Sequence, residues 1–102
     1  VGWGGGALNC ATIRFSRHAF ERMFERGLSP ALIEQSIATA EPIKAYPDDR
    51  PYPSVLLLAF HRQTPVHLVV ARDPVTENCV VVTVYIPDAK RWHEDFKTRR
   101  DQ

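Results

Sequence analysis

The chain has little of what small catalytic or targeting folds usually display. Of its 102 residues only two are cysteines, Cys10 and Cys79. They form no Cys-x-x-Cys pair, which argues against a structural zinc site and leaves reduced thiols in the cytoplasm as the expectation. No apolar run approaches the roughly 18 residues that a membrane helix needs, so no membrane contact is expected. The glycines cluster at the start, in VGWGGG, without the strand and helix that would frame a phosphate loop. There is no Gly-x-Ser-x-Gly and no readable Cys–His dyad. No two histidines or carboxylates share ligand spacing on one element, so neither metal nor cofactor is expected. Net charge is only +1, and any anion-binding surface must come from local clustering.

What is present is an ordinary core and two basic clusters. Hydrophobic residues make up 44% of the sequence, enough for one domain without staples. Residues 1–10 read as a flexible leader and residues 11–102 as a single domain. A short strand is expected in ATIRFS, residues 11–16. Ser16 then caps a helix whose apolar stripe is Ala19, Phe20, Met23 and Phe24, closed by Gly27. Ser29-Pro30 starts a second helix, with Leu32, Ile33, Ile37 and Ala40 on its apolar face. After Pro42 the period becomes that of strands: IKAY, a proline-stiffened loop PDDRPYP, then VLLLAFHR, VHLVVAR and CVVVTVYI as an antiparallel meander. Asp88 is expected to cap a last helix with Ala89, Trp92 and Phe96 inward. The predicted fold is α+β: two N-terminal helices on a twisted antiparallel sheet of about four strands, followed by a C-terminal helix.

The first helix carries His18, Arg22 and Arg26 four residues apart, a row of one imidazole and two guanidiniums. The plain reading is a solvated edge, with the arginines paired to Glu21, Glu25 or a strand carboxylate. The functional reading starts from the mild repulsion of cations at i, i+4, which a bound anion relieves. Arginine grips phosphate oxygens with two donors, and histidine, with an ordinary pKa of about 6.5, carries protons at neutral pH. Those parts suit metal-free RNA cleavage, in which a ribose 2′-hydroxyl attacks its own phosphate. A second acid–base group would come from the sheet, and His67, which interrupts an apolar strand, is the best placed. Tyr85, ahead of Pro87, is another candidate, while an anchoring role for it and a structural role for His67 stay open. His61 on a turn and His93 on an exposed helix face read as surface residues.

The run S-R-H-A-F-E-R-M-F-E-R-G-L-S (16–29), the loop Y-P-D-D-R-P-Y-P (46–53), P-V-H-L-V-V-A (65–71) and T-V-Y-I-P-D with Trp92 resemble a bacterial domain-of-unknown-function family. That family is usually grouped with RelE-like and barnase-like ribonuclease toxins. The resemblance spans nearly all of residues 16–100. It implies an endoribonuclease held in check by a cognate antitoxin protein, and the metal-free chemistry above would leave a 2′,3′-cyclic phosphate on message that is free or ribosome-bound. Carried onto this chain, the catalytic positions are His18, Arg22, Arg26, His67 and Tyr85; separately from the resemblance, Arg17, Arg50, Arg91 and Arg99 are expected as RNA contacts. Ile86 stands where an acidic residue is common, which removes a carboxylate role there. The rival expectation is a non-catalytic module that docks RNA or a partner on the same basic edge, and a third is an interaction domain whose ladder is a salt-bridged surface.

Overall fold

The computed structural model describes residues 8–100. Seven elements follow one another: β1 (Thr12–Phe15), α1 (Arg17–Arg26), α2 (Pro30–Thr39), β2 (Glu41–Tyr46), β3 (Ser54–His61), β4 (Thr64–Arg72) and β5 (Asn78–Tyr85). The strands form one sheet in the order β1-β5-β4-β3-β2. β2 to β5 are antiparallel neighbours, as a meander of apolar runs predicts. β1 departs from that prediction, because it lies parallel to β5 and makes the sheet five-stranded and mixed. The cause is local. Ser16 N–H bonds Val81 O at 3.0 Å, and Ser16 Oγ donates to Val82 O at 2.8 Å, so the chain enters α1 alongside β5 and in its sense.

The helix boundaries follow from their caps. Ser16 Oγ accepts from Ala19 N–H at 3.0 Å, and Ser29 Oγ accepts from Leu32 N–H at 3.1 Å with Pro30 next in line. Gly27 sits at φ 69° and ends α1, its N–H and that of Leu28 turning back to Phe24 O and Met23 O. An L side chain is strained in that conformation. At the β3–β4 turn, Arg62 and Gln63 both take positive φ, as a two-residue primed turn demands.

α1 lies on β5 and α2 on β3, so both helices cover one face of the sheet. Ala19, Met23, Ile33 and Ile37 meet Val55, Leu57, Leu68, Val70, Val81 and Val84 in a continuous core. Each fully buried aliphatic side chain there contributes about 1.5–3 kcal/mol. The predicted stripe of α1 is only half right. Ala19 and Met23 are buried, but Phe20 is 48% and Phe24 88% exposed. α1 rests near the sheet edge, and Phe20 turns its ring toward Phe15, 5.3 Å away, rather than beneath the helix.

Two further expectations are corrected. Cys10 and Cys79 are not free thiols: they are joined in a disulfide, because the parallel pairing of Ile13 with Cys79 brings the segment before β1 alongside β5. And residues 87–100 form no helix. Asp88 and Asp95 turn their carboxylates onto their own neighbours, Asp88 on Lys90 N–H at 2.9 Å and Asp95 on Lys97 N–H at 2.9 Å and Thr98 N–H at 3.2 Å. Such local bonds compete with helix formation, and Phe96 at φ 56° is incompatible with it. The segment instead doubles back, with Trp92 bridged to Arg99 and His93 N–H bonded to Thr98 O at 2.8 Å.

Truncation separates the two halves of the predicted stripe. Met23→Ala should cost about 2–5 kcal/mol of unfolding free energy in urea, whereas Phe24→Ala should stay within about 0.5 kcal/mol. Equal losses would contradict the orientation of α1.

Candidate functional site

The face of the sheet away from the helices carries no helix and is covered only in part, by residues 87–100; the residues of this open face follow from strand alternation. On β4, Val66, Leu68 and Val70 point into the helix-side core, so His67, Val69 and Ala71 point the other way. The register sets Tyr85 of β5 and Leu58 of β3 beside His67. A bulge on β5, where Val82 has no partner between Thr83, opposite Val69, and Val81, opposite Val70, shifts the register between Tyr85 and Val80.

His67 has no exposed surface, and both ring nitrogens are bonded. Nε2 lies 2.8 Å from Phe96 O, and Nδ1 lies 3.1 Å from Tyr85 Oη. A carbonyl can only accept, so Nε2 carries the hydrogen. In the neutral ring Nδ1 is then the acceptor, and the Tyr85 hydroxyl donates to it. Burial pushes the imidazole pKa below its ordinary value, against the Phe96 carbonyl, which favours the charged ring. The Trp92 ring meets the imidazole edge-on at 4.6 Å and the Tyr85 ring does so at 5.2 Å. Tyr85 is itself held protonated, its pKa raised by burial and by the nearby Tyr46, with Arg99 acting in the opposite direction.

Tyr85 opens onto a cleft of about 360 Å³ whose walls include Lys44, Tyr46, Leu56, Trp92, Lys97 and Arg99. A second hollow of about 260 Å³ shares Tyr85, Trp92 and Arg99 and adds Arg91 and Asp88. The two together make a groove along the C-terminal segment with Tyr85 and Arg99 at their junction. Its cations are positioned by contacts: the Arg99 guanidinium lies 5.5 Å from the Trp92 ring centre, and Lys44 Nζ lies 5.5 Å from that of Tyr46. Lys97 Nζ bonds Glu41 at 3.0 Å, tying the segment to the start of β2.

The expected site residues therefore divide into separate groups. His67, Tyr85, Arg91 and Arg99 come together on the open face, and Arg50 stands at the far end of that face, on the loop before β3. His18, Arg22, Arg26 and Arg17 lie on α1, with the sheet between them and His67. Arg22 pairs with Glu25 at 3.1 Å and Arg17 with Glu21 at 3.4 Å, as the solvated-edge reading has it. His18 and Arg26 are exposed and have no ion-pair partner among the described residues. Lys44, Trp92 and Lys97 were not singled out from sequence as site residues. The period-two pattern of Lys44 and Tyr46 on an edge strand could have signalled the first, but the other two depend on how residues 87–100 fold. Among the described residues no group of three or more histidine, cysteine, aspartate or glutamate side chains is placed to hold a metal ion. No helix among them is long and apolar enough to cross a membrane.

An α+β domain with helices on one sheet face and a cationic, tyrosine-lined groove on the other is thus the class of protein that fold and site define. Residues 15–86 match the family described as Domain of unknown function (DUF4258), and the chain belongs to it. The matched stretch includes His67 and Tyr85 but ends before Trp92, Lys97 and Arg99. No curated protein and no solved structure matches the chain.

The buried imidazole has a thermodynamic signature. Between the ordinary histidine pKa of about 6.5 and the lowered value in the fold, the unfolded chain binds a proton that the folded chain does not. Stability should therefore fall as pH drops through that window, and the loss should be smaller in His67→Gln. Urea unfolding between pH 7.5 and 5 measures it, and an identical pH slope in the two proteins would contradict the burial of a neutral ring.

Proposed function

We propose that the chain is a metal-independent endoribonuclease whose reacting site is the open-face cleft rather than the ladder on α1. The observation that carries this reading is Tyr85, which lines two hollows with cations in their walls and whose hydroxyl is bonded to a fully buried His67. A ribose 2′-hydroxyl would give its proton to Tyr85 Oη as Tyr85 passes its own to His67 Nδ1. The resulting imidazolium keeps both of its bonds, to Tyr85 Oη and to the Phe96 carbonyl. The 2′-oxygen then closes on phosphorus to a cyclic phosphate, with Arg99 and Lys44 holding the developing charge. The departing 5′-oxygen takes a proton from the facing wall, where Lys44 and Tyr46 stand.

A second reading is favoured by one feature of the same site. An imidazole satisfied at both nitrogens and packed on Trp92 is also what a structural pin looks like, in which case the groove binds RNA without turnover. A toxin role, with an antitoxin partner, rests on the family resemblance alone and is read by growth on induced expression.

End-labelled single-stranded RNA incubated with the protein in excess EDTA should be cut to products with 2′,3′-cyclic phosphate ends. Tyr85→Phe should lower the rate by about 10²–10⁴ while RNA affinity is retained, and His18→Ala should leave the rate unchanged. RNA binding without cleavage in the wild type would support the second reading. Loss of cleavage in His18→Ala but not in Tyr85→Phe would return the site to the ladder.

Binding itself should be dominated by phosphate contacts. Lys44→Ala and Arg99→Ala should each reduce the salt dependence of RNA affinity by about one counterion, as measured by fluorescence anisotropy from 50 to 300 mM salt. Indifference of the slope to both would remove the groove from the RNA path.

A further inference from the structure

The open face holds a third hollow, at the end away from Tyr85. It encloses about 300 Å³ between the loop before β3 and strands β4 and β5. Its floor is apolar: Val69, Ala71, Val80 and Val82, of which Val82 is 39% exposed and so has no cover of its own. Its wall includes Tyr52. The rim carries Asp49 and Arg50, side by side and opposite in charge. Asp49 is held there by Ser54 Oγ, which donates to Oδ2 at 2.6 Å, and Ser54 is buried.

We propose that this hollow is a subsite for one unpaired nucleobase that carries an amino group on its pairing edge, so that cytosine, adenine or guanine is taken and uracil is refused. The inference rests on reading the open face as an RNA surface, but it does not depend on cleavage. His67, Val69 and Ala71 lie on the same face of β4 at successive two-residue steps of about 6.6 Å each. The hollow is therefore about one to two nucleotide lengths from Tyr85, along a strand that the two sites share. A flat apolar floor with an aromatic wall takes a base by its faces, since base–aromatic stacking contributes whichever base is present.

Selection comes from the rim. A carboxylate on a surface that binds phosphates is repelled by the backbone, and the Asp49 oxygen that Ser54 does not bond suits a base edge instead. Ionised Asp49 can only accept hydrogen bonds, and the exocyclic amino groups of cytosine, adenine and guanine are donors. Uracil has one ring N–H between two carbonyl oxygens, which a carboxylate repels. Arg50, on the same rim, is the cation for that nucleotide's phosphate.

Cytosine and uracil differ little in size but present opposite groups to Asp49, so 3′-CMP and 3′-UMP are the probes. Titration of each into methyl-labelled protein, followed by NMR, should move the Val69, Val80 and Val82 methyls with 3′-CMP, which should bind about five-fold or more tightly than 3′-UMP. Asp49→Asn keeps an acceptor for Ser54 and gains a donor, so the fold should hold while the preference is abolished or reversed. No shift of those methyls with either nucleotide overturns the proposal, as do equal affinities in the wild type or a preference that survives Asp49→Asn. Shifts confined to the residues around Lys44 and Tyr85 would also overturn it, and would leave the proposed reaction standing. Methyl shifts with the expected preference, in a protein that cuts no RNA, would support the subsite and remove the reaction instead.

Discussion

The open face is organised by one buried imidazole bonded at both ends. His67 gives its Nε2 hydrogen to the carbonyl of Phe96 and receives the hydroxyl of Tyr85 at Nδ1. A histidine in an apolar strand is costly unless both nitrogens are satisfied, and here the partner for one of them comes from a segment 29 residues away in sequence. That bond draws residues 87–100 onto the sheet and sets Trp92 against the imidazole. The walls of the groove that carry Lys97 and Arg99 follow from it. The Lys97–Glu41 pair fastens the same segment at a second point, but both partners there are substantially exposed and such pairs contribute about 0–1 kcal/mol. The imidazole is the stronger constraint.

The sheet divides two sets of basic residues that look equivalent along the chain. On α1 the arginines spend part of their charge on Glu25 and Glu21, and the helix shows solvent a mixed surface. On the open face Arg99 and Lys44 lie by aromatic rings, beside a hydroxyl that can lose or gain a proton through its neighbour. Carboxylates compete for cations on both surfaces, since Lys97 in the groove is paired with Glu41, and what α1 lacks is the hydrogen-bonded Tyr85–His67 pair. This contrast, rather than the count of cations, favours the groove over the ladder.

Much of the fold was legible in the sequence because the signals were local. Ser16, Gly27, Ser29 and Pro30 mark the helix ends through bonds spanning three or four residues. The apolar runs around Leu57, Leu68 and Val81 place the central strands. The parallel pairing of β1 with β5 was not legible, and neither was the Cys10–Cys79 bond that accompanies it, since both join residues more than sixty positions apart. The turn of residues 87–100 was misread because Asp88 serves equally well to cap a helix or to close a turn, and the choice depends on the Phe96 carbonyl accepting from His67. For the site, His67 and Tyr85 were visible as polar groups at the wrong places in apolar strands. Their juxtaposition was not, because a hairpin register that slips by one residue sends the two side chains to opposite faces.

The central claim is that RNA lies on the open face, and ultraviolet crosslinking of a short single-stranded RNA followed by peptide mapping tests it most directly. Both candidate surfaces carry accessible aromatic rings: Tyr46, Tyr52 and Tyr85 on the open face, Phe20 and Phe24 on α1. Crosslinks should fall on peptides containing Tyr46, Tyr52 or Tyr85. Crosslinks confined to the peptide spanning Phe20 and Phe24 would contradict the account.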